Sequence, residues 1–167
     1  MHDESTVAKF VVFKVMDYLL ALPIEDVIKA VNYSPVDGGG LRTMGVVQLG
    51  RHMIRVLDLH QHISVGSLSQ LPANHPFLVI TRGSGGELWG IPVDEPPNLV
   101  ELPLAMMQRL PMSQIQGDAL LEMVSHAAVL SQENVTTTIF LLNVKQVLNT
   151  TMNDSQRRLP GNKQMVI

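Results

Sequence analysis

Met44 to Ile63 reads MGVVQLGRHMIRVLDLHQHI, and this stretch decides the fold. Val46, Val47 and Leu49 make a short apolar run. Gly50-Arg51 then breaks it where a tight turn meets least steric resistance, because glycine reaches positive φ without a Cβ clash. Ile54 to Leu57 resume the apolar run. Asp58 stands where a helix N-cap belongs, ahead of Leu59, His60 and Ile63. The stretch reads as strand, turn, strand and one or two turns of helix. That order comes back later in the chain.

Working outward, Val7 to Val15 (VAKFVVFKV) is rich in β-branched and aromatic residues and too unperiodic for a helix, so it reads as a strand. A turn at Asp17-Tyr18 leads to a second strand, Leu19 to Leu22, ended by Pro23, which cannot donate to a central ladder. Val27 to Val31 is read as a strand in preference to a helix. Gly38-Gly39-Gly40 lacks the spacing and the following Lys-Ser/Thr of a phosphate cradle and reads as a loop. Ser64 to Pro76 has linker composition. Strands follow at Phe77 to Thr81, Leu88 to Val93 and Leu99 to Leu102. A helical turn is expected over Leu104 to Leu110, loose alternation over Ala119 to Leu130, and a strand over Thr136 to Leu142. Asn143 can cap a short helix through Leu148, and a polar tail fills 149–167.

The two halves share a pattern. FVVFKV at Phe10 matches FLVITR at Phe77, ALPIED at Ala21 matches GIPVDE at Gly90, and VLDLHQHI at Val56 matches LLNVKQVL at Leu141. The offset grows from 67 to 85, which places an insertion in the second copy. A twice-repeated unit of about five short strands and a closing helix turn predicts an all-β fold of two small barrels. The expected boundaries are 6–63 for the first, 64–76 for a linker and 77–148 for the second.

Composition narrows the function. Hydrophobic residues are 46% of the 167, charged residues 16% and aromatic residues 4%. The net charge of −3 and the lack of clustered cations argue against nucleic acid as a partner. There is no cysteine, so no disulfide, thiolate nucleophile or Cys-ligated metal. No apolar run approaches the ~20 residues of a membrane span. The start MHDESTVAKF has no apolar signal region, so a cytoplasmic location without membrane insertion is expected.

No catalytic constellation emerges. His60 and His62, two apart on a helix, point to different faces and cannot chelate together, so they read as exposed histidines. His52 and His126 read as strand-surface or satisfied residues. Glu25-Asp26 and Asp94-Glu95 fall at equivalent places in the halves and read as turn and surface charges, not a general acid–base pair. Gly83-Ser84-Gly85 is not a nucleophile elbow. The ten methionines read mainly as core, with an adaptable binding groove as second reading. The expectation is a protein that is no enzyme and carries no cofactor or metal.

Taken together, FVVFKV, YLLALPIEDV, GVVQLGRHMIRVLDL, WGIPVDE and IFLLNVKQVL resemble, from Thr6 to Leu148, the CheW-like family of chemotaxis coupling proteins. The resemblance implies two five-stranded SH3-like barrels around a shared core. It also implies a non-catalytic adaptor that joins the cytoplasmic tip of a chemoreceptor to the regulatory domain of a CheA-type histidine kinase. By position, the kinase contacts would be Val27, Lys29, Val31, Gly50 and Arg51. The receptor groove would include Val46, Val47, Leu99, Val100 and Leu102. The chain departs from the family pattern in four places. Gln48-Leu49-Gly50-Arg51 exchanges glycine and arginine in the family's Asn-Leu-Arg-Gly turn. Met44 replaces a basic residue, Arg55 a proline and Lys29 a frequent glutamate. A charge reversal at a contact repels the standard partner and suits one with a compensating acid. A dedicated partner set, as in pilus motility or phototaxis, is the expectation. The alternative is a scaffold of the same fold that has lost one partner.

Overall fold

Short runs rich in β-branched and aromatic residues become strands over most of the described residues. The computed structural model describes residues 6–32, 45–63, 77–83, 85–111 and 120–148. The expected linker, the triple-glycine loop, Met44, Ser84 and the polar tail lie outside these residues. Val7–Val15 (β1) and Tyr18–Pro23 (β2) pair as a hairpin with Val15 opposite Tyr18. The turn is therefore Met16-Asp17, one residue earlier than expected, and Met16 takes a left-handed φ of 57°. Val27–Asn32 (β3) is a strand, as expected. Val46–Leu49 (β4), His52–Val56 (β5) and the helix Leu59–Ile63 (α1) reproduce the deciding stretch. Gly50 sits at its turn with φ 61°.

The second half runs Phe77–Arg82 (β6), Leu88–Val93 (β7), Asn98–Pro103 (β8), the two-residue Gln108–Arg109 (β9), Val124–Gln132 (β10) and Val135–Leu142 (β11), then helix over 144–148 (α2). The helical turn expected over Leu104 to Leu110 is shorter. A 3-10 turn, Leu104–Met106, ends because Met107 is extended and β9 is drawn into pairing with β10. Before β10 lies another 3-10 turn, Leu121–Met123.

Two sheets result. One has six strands in the order β8-β1-β2-β11-β10-β9, and the other five in the order β3-β6-β7-β5-β4. Each takes its first hairpin from one half of the chain and its last strands from the other. The boundaries 6–63 and 77–148 therefore describe the repeat in the sequence but not the sheets. Apart from β9, which has no counterpart, the two arrangements correspond strand for strand. β2 runs parallel to β11 where β7 runs parallel to β5, with Ala21 beside Leu141 as Gly90 is beside Val56. Pairing also corrects the offset of the first strand. Val12 faces Ala21 and Ile80 faces Gly90, so the true offset there is 68, one more than the sequence match gave.

Three apolar clusters hold the sheets. Phe10, Val12, Ala21, Leu102, Ala128 and Ile139 fill the six-stranded sheet. Val47, Ile54, Leu78 and Ile80 fill the five-stranded one. A larger cluster, including Phe13, Leu20, Val79, Ile91, Leu57 and Leu142, lies between them. Alternation explains the division, since neighbouring residues on each inner strand face a sheet's own interior and the shared core in turn.

Candidate functional site

Exposed sheet edges carry most of the residues expected to meet partners. β3 is an edge of the five-stranded sheet, and its outer side pairs with no other strand among the described residues. Val27 and Val31 are half-buried, Lys29 is exposed, and Ile28 is 43% exposed. The register skips Ile28, a bulge that turns this apolar side chain outward. An edge strand with one side open and such side chains is a ready docking edge. Gly50 and Arg51, both exposed, lie at the β4–β5 turn on the opposite edge of the same sheet. The five expected kinase contacts thus divide between two edges.

The expected receptor groove divides further. Val46 and Val47 are on β4, whereas Leu99, Val100 and Leu102 are on β8, an edge of the other sheet. Val47 is 0% exposed and packs with Ile54, Leu78 and Ile80. Leu102 is 3% exposed and packs with Phe10. As core residues, these two cannot line a surface groove in this conformation. Leu99, at 58% exposed, with half-buried Val46 and Val100, remains available.

Beside Val46, the outward face of β4 and β5 carries three residues that the sequence reading had not grouped. Arg55 pairs with Val46, and Met53, 56% exposed, pairs with Gln48. The Arg55 guanidinium lies 5.6 Å from the Trp89 ring centroid. The indole N–H of Trp89 donates to Glu87 Oε2 at 3.1 Å. That bond, with backbone N–H groups, holds the Glu87 carboxyl below its usual range. A cation in a strand of a chain with one tryptophan was the only sequence signal.

His60 is a clear correction. Expected to be exposed, it is 2% exposed. Its Nε2 lies 3.4 Å from Asp94 Oδ2 and its Nδ1 lies 3.5 Å from Asp58 Oδ1. Its backbone N–H donates to Asp58 Oδ1 at 3.0 Å, the expected N-cap. Burial alone would lower its pKa, but the hydrogen bond and charge of Asp58 and those of Asp94 outweigh it, and the pKa is raised. Asp94 is thus a partner of His60 as well as a turn charge. The side chain of His62 lies outside the described residues. His52 is exposed, and His126 Nδ1 lies 2.8 Å from Ser125 Oγ. Among the described residues no group of three or more His, Cys, Asp or Glu could hold a metal ion. No described helix is long and apolar enough to cross a membrane.

A cleft of about 310 Å³ opens where the sheets meet, lined by Leu22, Pro23, Asp26, Arg82, Asn143 and Lys145 among others. None of the expected contact residues line it.

A family model, the CheW-like domain, matches residues 9–152. The chain belongs to the CheW-like domain family. A solved structure, that of the scaffolding protein TtCheW from Thermoanaerobacter tengcongensis, matches this CheW-like domain with a TM-score of 0.62 at 18% identity. The match covers 85% of this chain and 92% of that one. No curated protein matches the sequence. The geometry gives two departures of this CheW-like domain a physical reading. Exchange of glycine and arginine puts Gly50 at the turn position that has left-handed backbone. Arg55, in place of a proline, supplies the cation over Trp89.

Proposed function

We propose that this CheW-like domain is a non-catalytic cytoplasmic adaptor. It couples a methyl-accepting chemoreceptor tip to the regulatory domain of a CheA-type histidine kinase, in chemotaxis, phototaxis or twitching motility. The observation that carries the reading is the β3 edge, open among the described residues, where Val27, Ile28 and Val31 flank the exposed cation Lys29. Main-chain pairing along such an edge supplies affinity, and the side chains supply specificity. Lys29, in place of a frequent acid, favours a kinase with a compensating carboxylate. Arg51 contributes from the opposite edge, and Val46, Leu99 and Val100 are the surface residues assigned to the receptor.

The test is titration against the CheA-type regulatory domain of the same organism, with Lys29→Glu and Arg51→Ala made singly and together. Micromolar or tighter binding is expected. Because the two residues lie on opposite edges, a single β3 docking face predicts that Lys29→Glu weakens binding about 10-fold or more, the cost of a reversed contact charge. Arg51→Ala would then have a smaller effect. Unchanged affinity in Lys29→Glu removes the charge-reversal idea. Absence of binding to any such kinase favours the second reading, a scaffold that has lost one partner. That reading draws on the altered turn and on the burial of Val47 and Leu102.

A further inference from the structure

The strand-for-strand correspondence of the halves exposes one place where they differ in chemistry. In register, α1 corresponds to α2, so His60 stands where Lys145 stands, and Asp94 stands where Glu25 stands. Lys145 and Glu25 are exposed. His60 is buried between two carboxylates that belong to different parts of the fold. The fold itself therefore does not require a buried polar ring after the capping residue. The first half has one, and it spans from α1 to the turn that follows β7.

We propose that His60 is a proton-operated latch that fastens α1, at the close of the first half, to the β7–β8 turn of the second. The chemistry follows from the ring's donors. An imidazolium has two N–H groups and can serve Asp58 and Asp94 together. A neutral ring keeps one N–H and turns a lone pair on the other carboxylate, which repels it. Asp58, leading into α1, and Asp94, after β7, are the charged groups whose hydrogen bonds and charge raise the ring's pKa. Glu95, next in the chain, is exposed. The two histidine nitrogens face separate carboxylates and do not converge on one point, so the arrangement is an ion-pair clamp and not a metal site.

The sign of the effect is fixed by the direction of the shift. The folded-state pKa lies above the ordinary value of 6.5. The latch is therefore fully formed below about pH 6.5 and is lost as pH rises through the raised value. β8, with Leu99 and Val100, begins shortly after Asp94, so release of the latch frees the turn that positions this edge.

Hydrogen exchange read by NMR on the whole protein tests the proposal. Between about pH 5.5 and about pH 8.5, corrected for intrinsic rates, protection of the Leu59–Ile63 amides is expected to fall severalfold. Residues 144–148, which contain no histidine, serve as the internal reference and keep their protection. His60→Gln removes the pH dependence. Asp94→Asn, at a partly exposed position, reduces it and lowers the pH at which the His60 ring signals titrate. Equal protection of Leu59–Ile63 at both pH values overturns the latch, as does an equal loss over 144–148. Ring titration at or below 6.5 overturns it as well. If His60→Gln fails to fold, the Asp94→Asn titration decides.

Discussion

Asn143 joins the end of one strand to the start of a helix. Its Oδ1 accepts the backbone N–H of Gln146 at 3.2 Å, and its own N–H donates to the Met123 carbonyl at 2.8 Å. Gln146 in turn donates through Nε2 to the Glu122 carbonyl. Asn143→Ala is expected to cost about 1 kcal/mol, the usual loss of an N-cap. For a chain of this size that lowers Tm by roughly 2–4 °C in a thermal melt. This cap and Asp58 were both legible, because a polar residue between an apolar run and a helical one has few other uses. Burial at single positions was less legible. Val46 and Val47 are adjacent and equally apolar, so alternation says that one faces inward without saying which. Leu99 and Leu102 pose the same problem from the two faces of β8. The burial of His60 depends on Asp94, 34 residues away, which no local pattern could supply.

At the scale of elements, β7 and β2 occupy equivalent places but fill them differently. A Cβ on Gly90 would meet Ile54 Cγ2 at 3.3 Å and Leu78 Cδ2 at 3.4 Å. Ala21, its counterpart, carries that methyl and is fully buried beside Ala128. The counterpart of Ala128 is Val47, since Val47 faces Ile54 as Ala128 faces Ile139. A larger residue on one strand is thus matched by a smaller one on its neighbour. Gly90→Leu is expected to destabilise by about 1–3 kcal/mol through overpacking, measured by urea unfolding. Gly90→Leu combined with Leu78→Ala should recover part of the loss. Strand existence and hairpin turns were legible, because β-branched runs closed by Gly, Asp or Asn admit few alternatives. The relative register of the halves was not. Phe10 and Phe77 are the eye-catching match, yet hydrogen bonding sets Phe10 opposite Pro23 and Leu78 opposite Pro92. The β6–β7 loop absorbs an extra residue, and identity in one side chain does not report that.

For the whole molecule, the repeat was legible and the exchange of strands between halves was not. Local patterns fix a strand's length and faces, while its partner depends on which closure buries the most apolar surface. Because each sheet needs strands from both halves, cutting the chain between 64 and 76 separates no folded unit. Either fragment alone is expected to lack the cooperative melt of the intact chain, and mixing the two should restore it. Independent folding of the N-terminal fragment, seen by circular dichroism, would contradict this. The shared core between the sheets further predicts a single unfolding transition, with near-ultraviolet and far-ultraviolet signals lost together.

The exchange also has a consequence on the ribosome. Leu20 pairs beside Phe140, so the β2 side of the first hairpin cannot gain its parallel neighbour until 120 further residues have been made. At about 5–20 residues per second that wait lasts roughly 6–24 s. Throughout it, Ala21 lacks Ala128 and Ile139, and Leu20 lacks Leu142, the residues that complete their clusters. The nascent chain is therefore expected to keep this apolar side open late into synthesis, and slow codons late in the message would lengthen that exposure.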